Sequence, residues 1–136
     1  MTIRELVFEM RDPRADLPRW RRAVLEAATE AGFAESDSWD IVSAVSEACA
    51  NAILHGLKGR AGSVTLSVRV YEGRFEAVVA DSGEGFEMPG GAPPATRRPG
   101  PGRGIPLMTK LMDEVSFQCR RGCKVTLVKY LPRSRH

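Results

Sequence analysis

The sequence predicts an α+β fold: a two-layer sandwich in which about three helices cover one face of a mixed, mainly antiparallel sheet. Segments whose apolar residues alternate in twos come in consecutive pairs joined by short turns, which is the pattern of hairpins. Segments with helical spacing are clustered, so a doubly wound parallel sheet is excluded. The 136 residues are 43% hydrophobic with a net charge of +3, which predicts a single domain over residues 1–136.

The chain is expected to begin with a strand and a helix. Residues 3–10 alternate and predict the strand. A helix is expected over residues 17–31, with Pro18 in its first turn and Gly32 directly after its end.

A second helix is expected to begin at Asp37. Asp40, three residues later, resembles the second half of a capping box. The helix should run to about Leu54, because an apolar stripe at helical spacing continues that far: Ile41, Val45, Ala48 and Ala52.

Two hairpins and a third helix are expected in the second half. Residues 64–70 and 75–80 alternate on either side of Glu72-Gly73, and the second strand ends at Asp81. The later elements are a helix and a closing hairpin around Arg121-Gly122: residues 105–112, 115–119 and 125–130.

Residues 83–104 differ in composition from the rest of the chain. They hold 7 of the 13 glycines and 5 of the 9 prolines. A loop of this length within one domain is typically a functional lid or a disordered segment.

Composition excludes several classes of protein. No apolar run approaches the length of a membrane span, and the N-terminus lacks a signal-peptide pattern, so a soluble, cytoplasmic protein is expected. Three cysteines without CxxC spacing predict neither a disulfide framework nor a zinc site. The basic residues are scattered, which disfavours direct nucleic-acid binding despite a pI near 9.0.

Three polar residues form a line on the second helix. Glu47, Asn51 and His55 are spaced i, i+4 and i+8, beside small residues that allow close approach. A solvated face is the ordinary explanation of such a line. A carboxylate and an amide one turn apart could instead supply a proton acceptor and a hard oxygen ligand for Mg²⁺.

Two glycine-rich segments flank the long loop. Asp81 ends a strand and is followed by Gly83 and Gly85, a spacing that lets a flat ligand approach the backbone. Residues 100–104 lead into the third helix, where free N–H groups favour phosphate. Neither a P-loop nor a GxGxxG motif occurs, so a nucleotide site must use another architecture.

In this order the motifs resemble the Bergerat-fold ATPases of the GHKL superfamily, which have a histidine kinase-like ATPase domain. Within that superfamily the chain resembles the anti-sigma-factor serine/threonine kinases. The resemblance spans nearly the whole chain and is carried by residues 46–56, 81–86, 102–115 and 122–129.

The resemblance implies that ATP and Mg²⁺ are the cofactors. It makes Glu47 the general base toward a Ser or Thr hydroxyl of a protein substrate, and Asn51 the Mg²⁺ ligand. It makes Asp81 the acceptor for the adenine amino group, supported by Thr126. The other nucleotide-binding residues that it implies are His55, Gly83, Gly85, Gly102, Arg103 and Gly104.

The resemblance also implies partners: a sigma factor that is held inactive, and a STAS-type anti-anti-sigma protein that is phosphorylated. It further implies a homodimer. No contact with membranes is expected, because the chain has no apolar run of sufficient length. Arg19, Arg21 and Arg22 could meet an acidic partner surface.

Two alternatives remain open. The Pro-rich loop favours an ATP-binding anti-sigma or switch module that lacks phosphotransfer. A histidine-kinase catalytic half is disfavoured, because neither His55 nor His136 suits a phospho-acceptor.

Overall fold

The computed structural model describes residues 2–10, 13–53, 63–81, 105–119 and 122–131. Within these ranges it confirms the predicted α+β class and the predicted order of elements. The elements are β1 (Thr2–Met10), α1 (Pro13–Glu30), α2 (Glu35–Asn51), β2 (Val64–Tyr71), β3 (Arg74–Asp81), α3 (Ile105–Leu111), β4 (Glu114–Cys119) and β5 (Cys123–Tyr130).

The five described strands form one sheet in the order β1-β2-β3-β5-β4. All four pairings among them are antiparallel, so the described strands lack the parallel pair that a mixed sheet would contain. Both hairpins turn at the glycines that the sequence indicated. Gly73 and Gly122 have φ angles of 78° and 133°, a region that disfavours residues with a Cβ.

One face of the sheet is buried under the helices. Along β2 every second residue is fully buried, and each of these lies opposite a buried or half-buried residue of β3 or β1. Trp20 of α1 is only 2% exposed and belongs to this core. Burying one such side chain contributes about 1.5–3 kcal/mol, so this face holds the two layers together. The largest fully buried strand residues are Phe75, Leu66, Leu127, Val64, Val68 and Val70.

Helix α1 begins four residues earlier than predicted. It starts at Pro13. Proline lacks an N–H, but the N–H of a first helical residue has no acceptor within the helix, so no hydrogen bond is lost there. Pro18 lies inside the helix. Its predicted end is confirmed. Gly32 has φ 103°, its N–H donates to the carbonyl of Thr29, and the N–H of Phe33 donates to the carbonyl of Ala28. These two bonds form a Schellman motif, which satisfies the last carbonyls of the helix.

The predicted capping box of α2 is wrong. The helix begins at Glu35 after Ala34, whose side chain makes no capping hydrogen bond, and Asp37 is already the third helical residue. Glu35 and Asp37 instead place negative charge in the first turn, where the helix dipole favours it. Ala52 and Ile53 continue beyond the last residue of α2 in helical geometry, and the predicted end at Leu54 lies outside the described residues.

None of the helices in the described ranges is long and apolar enough to cross a membrane. The long glycine- and proline-rich loop predicted over residues 83–104 also lies outside these ranges.

Candidate active site

Helix α2 has two different faces. The face toward the sheet is buried and carries the predicted apolar stripe, from Ile41 to Cys49. The outward face exposes Trp39, Ser43 and Ala50. Glu47 and Asn51 lie partly buried between these extremes. Their side chains are therefore close to solvent but are held by a helix that the core fixes.

The structure places Glu47 and Asn51 one turn apart, as the sequence predicted. Asn51 is the last residue of α2, and Ala52 follows it in helical geometry, with its N–H donating to the carbonyls of Ala48 and Cys49. The pair thus sits where the regular helix ends, on the helix that packs over β3 and β5.

Asp81 ends β3 on the helix-covered face of the sheet. It lies opposite Val64 in the ladder, and Val64 is fully buried beneath the helices. The backbone N–H of Cys123 donates to Oδ2 of Asp81 at 3.1 Å. This bond orients the partly buried carboxylate, on the same side of the sheet as α2.

The structure does not bring Thr126 to Asp81. Residues of a strand alternate between the two faces, and Val125 and Leu127 are the buried, helix-facing neighbours of Thr126. Thr126 therefore points to the open face, between Val78 and Ser116 in the register. The expected support of Asp81 by Thr126 is corrected: Cys123 occupies that place.

Cys123 was missed by sequence reasoning, although a signal for it was present. Counting back in twos from the buried Leu127 and Val125 reaches Cys123, on the helix-covered face. The strand was predicted to begin two residues later, so this position was assigned to the turn.

Six predicted nucleotide-binding residues lie outside the described residues: His55, Gly83, Gly85, Gly102, Arg103 and Gly104. The segments that carry them nevertheless join the described structure near one another. Residues 54–62 lead toward Val64, residues 82–104 leave from Asp81, and these two residues lie opposite each other in the ladder. One end of the sheet is thus the junction for both motif-bearing segments.

The described residues contain no cluster of three or more His, Cys, Asp or Glu side chains that could hold a metal ion. Mg²⁺ is commonly held by one or two protein oxygens together with substrate phosphates. The amide oxygen of Asn51 is a donor of that kind.

The cysteines supply no nucleophile in the described site. Burial raises the pKa of the Cys49 thiol to about 12, so it stays protonated on the sheet-facing side of α2. Cys123 is disulfide-bonded, which the cysteine spacing did not predict. Its backbone lies opposite that of Cys119 in the strand register.

Comparison with known proteins shows the family. Residues 11–129 match the model of the histidine kinase-like ATPase domain. The chain therefore belongs to the histidine kinase-like ATPase family. Within it, the chain is similar to proteins named serine-protein kinase RsbW, which confirms the resemblance drawn from the motifs.

The similarity covers most of each protein. The RsbW of Bacillus licheniformis is 38% identical over 123 aligned positions, and the match covers 79% of this chain and 74% of the relative. The RsbW of Bacillus cereus is 32% identical over 122 aligned positions, and the match covers 83% of this chain and 76% of the relative.

A solved structure shares the fold. The RsbU and RsbW domains of Rv1364c from Mycobacterium tuberculosis match with a TM-score of 0.66 and 25% identity. The match covers 98% of this chain and 33% of that longer chain.

Proposed function

We propose that the chain is a Mg-ATP-dependent protein serine/threonine kinase that acts as an anti-sigma factor. Its substrate is a STAS-type anti-anti-sigma protein, so that phosphorylation switches the partner of the sigma factor. The observation that carries the proposal is the placement of Glu47 and Asn51 one turn apart on α2, on the same side of the sheet as Asp81. The similarity to RsbW serine-protein kinases supports it.

Glu47 is the general base in this proposal. A partly buried carboxylate near solvent can accept the proton of an incoming Ser or Thr hydroxyl as that oxygen attacks the terminal phosphate. Phosphoryl transfer depends mainly on positioning and charge stabilisation, so a base fixed on a helix is well suited to it.

Asn51 is the protein ligand for Mg²⁺ in this proposal. Bound together with ATP, the ion would neutralise charge on the phosphates. Asn51 orients its amide from the last position of α2, one turn from the base. The spacing keeps the metal ligand and the base separate but adjacent.

Asp81 recognises adenine in this proposal. Its carboxylate accepts a hydrogen bond from the exocyclic amino group, while the N–H of Cys123 holds Oδ2. Hydrogen bonds to a charged group contribute about 1.5–3 kcal/mol, enough to discriminate adenine from a base that lacks the donor.

The sigma factor, a cytoplasmic location and a homodimer belong to the same proposal. Arg19, Arg21 and Arg22 are exposed on α1 and would meet an acidic surface of a partner. Reversing all three charges should weaken that binding and flatten its dependence on salt.

The test is phosphotransfer from labelled ATP to purified STAS-type proteins, with wild type and Glu47→Gln compared. The proposal expects label on a Ser or Thr of one of these proteins with wild type, and its near-complete loss with Glu47→Gln. ATP binding without transfer to any of them would favour the alternative, a switch module without kinase activity.

A further inference from the structure

An exposed tryptophan lies on the helix that carries the proposed base. Trp39 is 46% exposed, whereas the other tryptophan, Trp20, is 2% exposed in the core. Burial of a large, exposed aromatic side chain by a partner contributes much favourable binding free energy. Tryptophan is accordingly enriched among the residues that dominate the binding energy of interfaces. Trp39 therefore points to a contact that the isolated chain does not make.

Trp39 and Glu47 share one side of α2. Trp39, Ser43 and Glu47 are spaced i, i+4 and i+8, which stacks them along the helix over a rise of about 12 Å. Ser43 in this line and Ala50 beside it are exposed and small, so they leave room for a partner along it.

The charged residues that α2 itself places near Trp39 are all acidic. Helix α2 carries four acidic residues and no Lys or Arg, and three of the acids lie within four positions of Trp39: Glu35, Asp37 and Asp40. Glu35 is exposed and the other two are partly buried. A surface that covers Trp39 would therefore be complementary with Lys or Arg at its rim.

We propose that Trp39 is the docking anchor for the protein that is phosphorylated. This inference rests on the proposed function, because it takes Glu47 as the base. An acceptor hydroxyl must come within about 3 Å of Glu47, so its protein must cover the outward side of α2. An interface of ordinary size buries ~800 Å² per partner and is roughly 30 Å across, which includes Trp39.

The occupant is accordingly a folded protein with an apolar pocket beside its acceptor Ser or Thr and basic residues around that pocket. The anchor determines which protein is presented to the base, and it takes no part in the transfer itself. Its removal should therefore affect the acceptor's KM and leave kcat and ATP binding alone.

Steady-state phosphotransfer to a purified STAS-type protein tests this split. Trp39→Ala should raise the KM for that protein at least about tenfold, with kcat at saturation and ATP affinity within about twofold of wild type. Trp39→Phe should have a KM for that protein close to the wild-type value. The matched control is Val7→Ala, which removes another exposed apolar side chain, at 63% exposure, from the opposite face of the sheet.

Tryptophan emission separates the inference from the proposed function. With a tryptophan-free STAS-type protein and ATP present, the emission of wild type minus that of Trp39→Phe reports on Trp39 alone. Docking predicts a blue shift and protection from acrylamide as the complex forms, whether or not label is transferred.

Two results would overturn the inference. One is transfer with an unchanged KM in Trp39→Ala, which would leave the proposed kinase function intact. The other is complex formation with no change in Trp39 emission. If label is not transferred but Trp39 becomes protected, the kinase function fails and the docking surface stands.

Discussion

The two faces of α2 follow different rules. On the face toward the sheet, Ile41 and Val45 are fully buried, and their helical spacing alone explains them. On the outward side, packing explains neither the exposed Trp39 nor the adjacent pair Glu47 and Asn51. One face therefore shows how the helix is held in the fold, and the other carries the residues proposed for the site.

The difference shows which sequence patterns indicate function and which indicate only packing. Many different sequences can form a periodic apolar stripe, since hydrophobic residues of about the right size suffice for a core. A carboxylate and an amide one turn apart, near solvent and beside small residues, form a combination that the core does not require. The predictions below separate these two roles, beginning with the largest expected effect.

The outward face is tested by Glu47→Gln. The substitution keeps size and hydrogen bonding but removes the base, so phosphotransfer should fall about 10²- to 10⁴-fold. ATP affinity should stay within about twofold, because the base does not bind the nucleotide. The control is Glu26→Gln, an exposed glutamate of α1, which should transfer label at the wild-type rate. Equal loss in both variants would contradict the assignment.

The buried face is tested by Ile41→Ala. Ile41 is fully buried, so truncation should lower the free energy of unfolding by about 2–5 kcal/mol in urea titrations. Ser43→Ala, two residues later on the outward side, should change it by less than about 0.5 kcal/mol. A similar loss in both variants would show that the two faces are not energetically distinct.

The two faces of the sheet differ as the two faces of α2 do. Asp81→Asn tests the helix-covered face, and Thr126→Val tests the open face. Asparagine cannot keep the bond from Cys123 and accept the adenine amino group equally well, so ATP affinity should fall about tenfold or more in calorimetry. Thr126 faces the other side, so Thr126→Val should leave affinity within about twofold. Weakened binding in Thr126→Val would show that the register places the nucleotide wrongly.

Cys49 gives the smallest effect, on the buried face of α2. Its pKa is raised to about 12 in the folded protein from 9.0, so the unfolded chain loses this proton first as pH rises. Stability from this group is full below pH 9 and is lost between pH 9 and 12, by up to about 1.4 kcal/mol per pH unit. Urea unfolding at pH 8 and 10 should show a larger decline in wild type than in Cys49→Ala. An equal decline in both would remove Cys49 as its source.

The fold was predictable because its elements are marked locally. Alternation in β2 and β3 and the turn glycine Gly73 need no tertiary information. The start of α2 was not predictable, because Asp37 offers a cap that competes with continued helix from Glu35, and packing decides between them.

The relative placement of the candidate site residues was predictable where one helix carries them and less so where two strands must align. Glu47 and Asn51 follow from spacing on α2. The partner of Asp81 depends on the register between β3 and β5, and on which residue of β5 faces the helices. Because β5 begins at Cys123, the residue that contacts Asp81 is Cys123 and not the predicted Thr126.

The most direct test is calorimetry of ATP binding, with and without Mg²⁺, on wild type, Glu47→Ala and Asn51→Ala. We expect wild type to bind more tightly with Mg²⁺, Asn51→Ala to lose that dependence, and Glu47→Ala to bind as wild type does. Absence of ATP binding by wild type, or a Mg²⁺ dependence that survives in Asn51→Ala, would contradict the assignment of base and metal ligand to the outward side of α2.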